Sequence, residues 1–238
     1  MLKRVAVIQS NYIPWKGYFD IINDVDLFVF YDDVQYTKND WRNRNKIKTP
    51  KGSEWLTIPV NASNDLLICE VEMSNPNLIS KHYKTLNALY SKAPYFKRYK
   101  PFLEHVYMEQ KWSNLSEMNQ YLIKHISKEF LGINAEFKDS REYDSNGRKL
   151  NRLIDILKKA KAEVYVSGPA AGDYIDLTRF KEEEIQLVYK DYKGYPEYEQ
   201  FHPPFDHYVS ILDLLFHAGP DSAYYIWGWR KETNAVEY

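Results

Sequence analysis

Two short apolar runs enclose a loop and a helix at the start of the chain, and no other feature restricts the fold as much. Arg4-Val5-Ala6-Val7-Ile8 is rich in β-branched residues and reads as a strand. A second such run, Asp26-Leu27-Phe28-Val29-Phe30-Tyr31, follows after a segment with helical apolar spacing through Ile21 and Ile22. Together they form a β-loop-α-β unit, the building block of an α/β sheet. Ligands of open α/β sheets bind at the carboxyl ends of the strands. The loop at that position is Gln9-Ser10-Asn11-Tyr12-Ile13-Pro14-Trp15, with an amide pair and two aromatics. A loop that only turned the chain would use Gly, Asp or Ser. Gln9, Asn11, Tyr12 and Trp15 are therefore candidate site residues; the alternative is an aromatic plug that seats the helix on the sheet.

The segment after the second strand adds charge. Asp32 and Asp33 follow the strand end directly, and Lys38, Trp41, Arg42 and Arg44 lie close behind. In an extended segment Arg42 and Arg44 would face one side, and two guanidiniums there make a fork for phosphate or carboxylate. The alternative is a solvated loop whose charges pair with one another. A second loop, Ser167-Gly168-Pro169-Ala170-Ala171-Gly172-Asp173-Tyr174, follows the apolar strand Val164–Ser167. Its small residues would let a ligand approach the backbone, which makes Ser167 and Gly168 further binding candidates.

The rest of the chain reads as strands at 44–49, 54–60 and 67–73, with a hairpin turn around Pro50-Lys51-Gly52-Ser53. Helices are predicted over 78–90, 94–110 and 115–131, with Ser113 or Asn114 capping the third and Gly132 ending it. A strand at 135–138, a helix at 149–161, a helix or turn at 170–174, a strand at 185–189 and a helix at 209–217 complete the pattern. The expected fold is α/β, Rossmann-like, with a mixed or parallel sheet. One domain spanning 1–238 is expected, with a helical insertion at about 76–132.

Composition removes several function classes. A formal net charge of −1 gives no general drive toward nucleic acid or anionic membrane. No apolar run approaches the roughly 20 residues of a membrane span, and the N-terminus lacks a secretory pattern, so a cytoplasmic location is expected. Cys69 is the single cysteine and lies in an apolar alternation that predicts a buried strand position. None of the six histidines has metal-ligand spacing, and no metal site is expected. His82 and His207 are the better placed for proton transfer, while His217 suits a helix-end cap.

The runs QSNYIPWKGYFDII, YDDVQYTKNDWRNRNKIKT, WLTIPV, APYF, LGI, SGPAAGDYID and VSILDLLF, in that order, resemble the WbqC-like family from about Arg4 to Gly219. Two departures stand out: many relatives have His where Ile8 stands, and Asn where His217 stands. The resemblance implies work on bacterial surface polysaccharide precursors, such as O-antigen. Specifically, it implies N-acyl or aminoacyl (glycyl-type) transfer onto the amine of a nucleotide-linked deoxyamino sugar. In that scheme His82, Asp32 or Asp33 takes the amine proton, and Asn11 stabilises the oxyanion. Lys38, Arg42 and Arg44 hold the pyrophosphate, Tyr12 or Trp15 stacks on base or sugar, and Gln9 and Trp41 add contacts. No cofactor is firmly implied; ATP, acyl-CoA and aminoacyl-tRNA remain possible donors, the last as the one nucleic-acid partner. The alternatives are a glycosyl- or nucleotidyltransferase holding a divalent ion on Asp32-Asp33, or a non-catalytic nucleotide-sugar-binding protein.

Overall fold

The computed structural model describes residues 2–63, 65–169 and 176–230. Its centre is a five-stranded sheet of β1 (Arg4–Ile8), β2 (Leu27–Phe30), β7 (Glu136–Asp139), β8 (Val164–Ser167) and β9 (Gln186–Tyr189). The strands are ordered β7-β2-β1-β8-β9, and all four pairings are parallel. The sheet is Rossmann-like and purely parallel. From β1 the chain runs outward through β2 to β7, then crosses back to β8 on the other side of β1. The order therefore reverses between β1 and β8, where open α/β sheets form a ligand crevice.

Both faces of the sheet are covered, so its strands read as continuous apolar runs. Val5, Val7, Leu27, Val29 and Tyr165 face helices α5 (Lys149–Lys159) and α6 (Leu177–Glu182) through Ile154, Leu157 and Phe180. Ala6, Phe28, Phe30, Val164 and Val166 face the larger core, which holds α1 (Lys16–Asn23) and α7 (Ile211–Ala218). Burying the side chains of this core is worth about 1.5–3 kcal/mol per large apolar residue.

The long connection from β2 to β7 contains a hairpin, β3 (Arg44–Thr49) and β4 (Gly52–Thr57), and a short pair, β5 (Val60–Asn61) and β6 (Glu72–Met73). Helices α2 (Ser80–Tyr90), α3 (Phe96–Glu104) and α4 (Leu115–His125) follow. Both α3 and α4 end in a wider turn, at His105–Glu109 and Ile126–Phe130. Asn114 caps α4 by accepting from the Glu117 amide at 3.0 Å, and Gly132 leaves the helical segment at φ +65°.

Of the strand expected at 67–73, only Glu72–Met73 forms. Residues 68–70 make a single 3₁₀ turn, because the Glu70 carboxylate accepts from the Leu67 amide at 2.8 Å. The Ile68 and Cys69 amides then donate to the Val34 and Asp32 carbonyls at 2.9 Å each. Cys69 is consequently half-buried in a turn rather than on a buried strand face, and burial raises its thiol pKa. The predicted helix or turn at 170–174 lies outside the described residues.

Candidate functional site

Three segments meet at the carboxyl end of β1, each tied to the others by backbone hydrogen bonds. The Tyr12 amide donates to the Trp41 carbonyl at 3.0 Å. The Ser210 amide donates to Lys46 and the Ile211 amide to Pro14, at 2.8 and 2.9 Å. The Asn45 side-chain amide donates to the carbonyls of both Tyr12 and Ile13, at 3.1 and 3.0 Å. Ile13 is a β-branched residue at φ +36°, an unfavourable backbone state that persists only when neighbours enforce it. Asn45, fully buried, is the neighbour that does so.

Arg42 occupies the middle of this junction. Its guanidinium donates to the side-chain carbonyl of Asn11 and, at 3.5 Å, to that of Gln9. Asp40 lies 3.6 Å from Nη2, and the buried Nε has no acceptor among the described residues. The Arg42 backbone is fixed from α4, since Asn119 donates to its carbonyl at 2.8 Å. The expected Arg42–Arg44 fork is not made. Residues 41–43 form a turn, so the two side chains diverge, and Arg44 lies over the Trp55 ring at 4.2 Å and donates to the Asn39 carbonyl. Lys38 is exposed on the neighbouring turn.

Two cavities flank the Gln9–Asn11–Arg42 group. One, of about 520 Å³, sits at the carboxyl edge of β1 and β2 beside α5, and Gln9, Tyr31, Leu150, Leu153 and Tyr165 line it. The other, of about 390 Å³, opens between Asn11, Trp15, Trp41, Lys46, Asp206 and Tyr208. Trp41 is 40% exposed and Tyr208 62%, so both keep ring surface free. The Trp15 ring packs within 5.3 Å of Tyr208 and lies over Gly17, where a Cβ would come 2.2 Å from it. Ser167 is buried at the end of β8, and Gly168 follows it at the switch point, a Cβ there meeting only Tyr192 at 3.5 Å.

Tyr12 belongs to the core. Its side chain is 0% exposed, with its hydroxyl 2.7 Å from His82 Nδ1 and 2.8 Å from the Tyr107 hydroxyl. His82 Nε2 is 3.1 Å from the Thr57 carbonyl, which can only accept, so Nε2 carries the hydrogen and Nδ1 accepts from Tyr12. Burial lowers the His82 pKa to about 4, and the ring is neutral at pH 7. Both ring nitrogens are thus engaged with the protein.

Asp32 and Asp33 are likewise surrounded by donors. Asp32 accepts from the Ser10 amide at 2.7 Å, from the Ser116 hydroxyl and from Gln120 at 3.2 Å. Asp33 accepts from Ser140 at 2.5 Å and pairs with Arg152, whose Nη1 also donates to the Asp33 carbonyl. These contacts join the end of β2 to α4 and α5. His207 is partly buried near Lys16, and both effects lower its pKa. His217 caps α7 from within, with Nδ1 2.8 Å from the Asp213 carbonyl and Nε2 accepting from the Phe201 amide at 3.3 Å.

Asn45, Lys46, Asp206 and Tyr208 escaped the sequence reading. Position within β3 gives no hint of what Asn45 and Lys46 face. A signal did exist for the other two, in the loop His202-Pro203-Pro204-Phe205-Asp206-His207-Tyr208, dense in aromatics and rigid prolines.

The profile of the WbqC-like protein family matches residues 9–225, from the Gln9 that contacts Arg42 to the helical turn after α7. The chain belongs to the WbqC-like family. A similar protein is the uncharacterized protein Rv1507c of Mycobacterium tuberculosis, 41% identical over 227 residues, which cover 94% of this chain and 98% of that one. No solved structure matches. In this WbqC-like chain Ile8 is half-buried at the end of β1, paired with Phe30 of β2. Among the described residues no helix is long and apolar enough to cross a membrane.

Proposed function

We propose that this WbqC-like protein binds a nucleotide-linked deoxyamino sugar and transfers an acyl or aminoacyl group, glycyl in type, to the sugar amine. The observation that carries the reading is Arg42, joined to Gln9 on the rim of one cavity and to Asn11 on the rim of the other. A nucleotide sugar has that same layout: a nucleoside and a sugar ring on either side of a pyrophosphate. The cavity at the switch point takes the nucleoside against Tyr31 and Tyr165, the aromatic cavity takes the sugar, and the guanidinium holds the charge between them. Family membership supports the choice of polysaccharide precursors.

In the transfer, the sugar ammonium first gives a proton to solvent. The neutral amine attacks the acyl carbonyl carbon, the C–N bond forms, the bond to the donor's leaving group breaks with its electron pair, and the nitrogen gives its second proton to that leaving group or to solvent. Asn11, at the mouth of the sugar cavity, offers an amide N–H to the developing oxyanion. Acyl-CoA, an aminoacyl adenylate made with ATP, and aminoacyl-tRNA each supply such a carbonyl.

His82, Asp32 and Asp33 favour a second reading. Both His82 nitrogens are engaged with the protein, and the two carboxylates are buried among protein donors, which suits a nucleotide-sugar-binding protein without chemistry of its own. Calorimetry tests what the two readings share. A UDP- or dTDP-linked amino sugar should bind the wild type, and Arg42→Ala should weaken it about 10- to 100-fold, the worth of a charge-assisted hydrogen bond. Equal affinity in both would remove Arg42 from the site.

A further inference from the structure

We infer that the groove between Trp15, Trp41 and Tyr208 is a subsite for an amino sugar, and that Asp206 selects sugars bearing a free, protonated amine over their hydroxyl counterparts. The inference rests on the nucleotide-sugar reading above and deepens it.

The groove combines aromatic rings with few polar groups, the composition that suits a pyranose ring. Two of its polar groups are charged, and they are of opposite sign. Asp206 is held in place on both oxygens: Ser53 donates to Oδ2 at 2.7 Å, and the Tyr208 amide donates to Oδ1 at 2.8 Å. Gln200 fixes the backbone on either side, accepting from the Asp206 amide at 2.8 Å and donating to its carbonyl at 3.2 Å. Burial raises the Asp206 pKa, but the Ser53 and Tyr208 donors, with Lys46 and Lys48 nearby, outweigh it and hold the carboxyl below its usual value, so it is anionic at neutral pH. A carboxylate oxygen accepts at more than one site, which leaves capacity for a ligand.

Lys46 is the matching cation, its ammonium 5.5 Å above the Trp55 ring. Lys48 is turned away, with Nζ donating to the Pro204 carbonyl at 2.6 Å. A groove with one anion and one cation fits a ligand that carries both charges. An amino sugar linked to pyrophosphate is such a ligand, with its ammonium directed at Asp206 and its phosphates toward Lys46 and Arg42. The Trp15, Trp41 and Tyr208 rings add cation–π attraction for the ammonium. An N-acylated sugar has lost that charge, so the same contact favours release of the product.

The test is calorimetric titration at pH 7 with two UDP-sugars that differ only in an amine or a hydroxyl on the ring. Wild-type protein should prefer the amine by about tenfold, and Asp206→Asn, which keeps the shape and one acceptor, should abolish the preference. Trp41→Ala should weaken both ligands alike and leave the ratio intact, which separates ring stacking from charge recognition. Thermal melts check that each variant folds. Binding of both sugars with no preference in the wild type, or a preference that survives Asp206→Asn, overturns the role of Asp206 while the wider reading stands. Absence of binding by both sugars to wild-type protein overturns the two readings together.

Discussion

The Tyr12 hydroxyl donates to His82 Nδ1 across 2.7 Å, and the far nitrogen of that ring holds the Thr57 carbonyl at 3.1 Å. This relay ties the loop after β1 to α2 and the end of β4, and it works only with a neutral imidazole. A pKa of about 4 in the fold, against 6.5 in the unfolded chain, means that the unfolded state binds more protons between those values. Stability contributed by neutral His82 is therefore complete above pH 6.5 and declines as pH falls toward 4, by about 3 kcal/mol in all. Urea denaturation at pH 7, 5.5 and 4.5 should show this loss in wild type and a shallower one in His82→Gln. Parallel profiles would contradict it.

Asp32 acts as a brace between the β1 loop, β2 and α4. Asp32→Asn exchanges an acceptor for a donor facing the Ser10 amide, Ser116 or Gln120, so one buried group is left unpaired. The expected cost is about 1–3 kcal/mol. For a chain of this size that lowers Tm by about 2–4 °C per kcal/mol, measurable by calorimetry. An unchanged Tm together with lost ligand binding would instead make Asp32 a ligand-contacting group.

Gly17 lets the Trp15 indole lie flat over the first turn of α1. In Gly17→Ala the new methyl would stand 2.2 to 2.7 Å from three ring carbons, so the indole must leave. Destabilisation of about 1–3 kcal/mol is expected, as for other overpacked sites. A change in tryptophan fluorescence and weaker sugar binding should accompany it. A variant with native emission and native stability would show that the indole does not rest there.

Much of this arrangement was legible in the chain, for identifiable reasons. Buried parallel strands need unbroken apolar runs, and Val5–Ile8 and Leu27–Phe30 have them, so the β-loop-α-β unit could be read directly. The aromatic loop proved to be two things at once. Tyr12 is the plug, sealed by His82 and Tyr107, whereas Trp15 borders an open cavity. Spacing along the chain cannot distinguish those fates, because both depend on partners some 70 residues or more away. Of the two readings open for Arg42 and Arg44, the shared fork fails for a local reason: the turn at 41–43 sends one guanidinium to Asn11 and the other over Trp55. Asp206 stayed hidden because only the return of the chain through Ser210 and Ile211 brings it beside β3.

Mass spectrometry of the reaction products tests the central claim most directly. Purified protein would be incubated with UDP- and dTDP-linked amino sugars and offered glycine with ATP, acyl-CoA or glycyl-tRNA, with and without Mg²⁺. A mass gain on the sugar equal to one amide-linked acyl or glycyl group, lost in Arg42→Ala, is the predicted result. Unmodified sugars with every donor, in the presence of protein that binds them, would contradict the transfer and leave a binding protein.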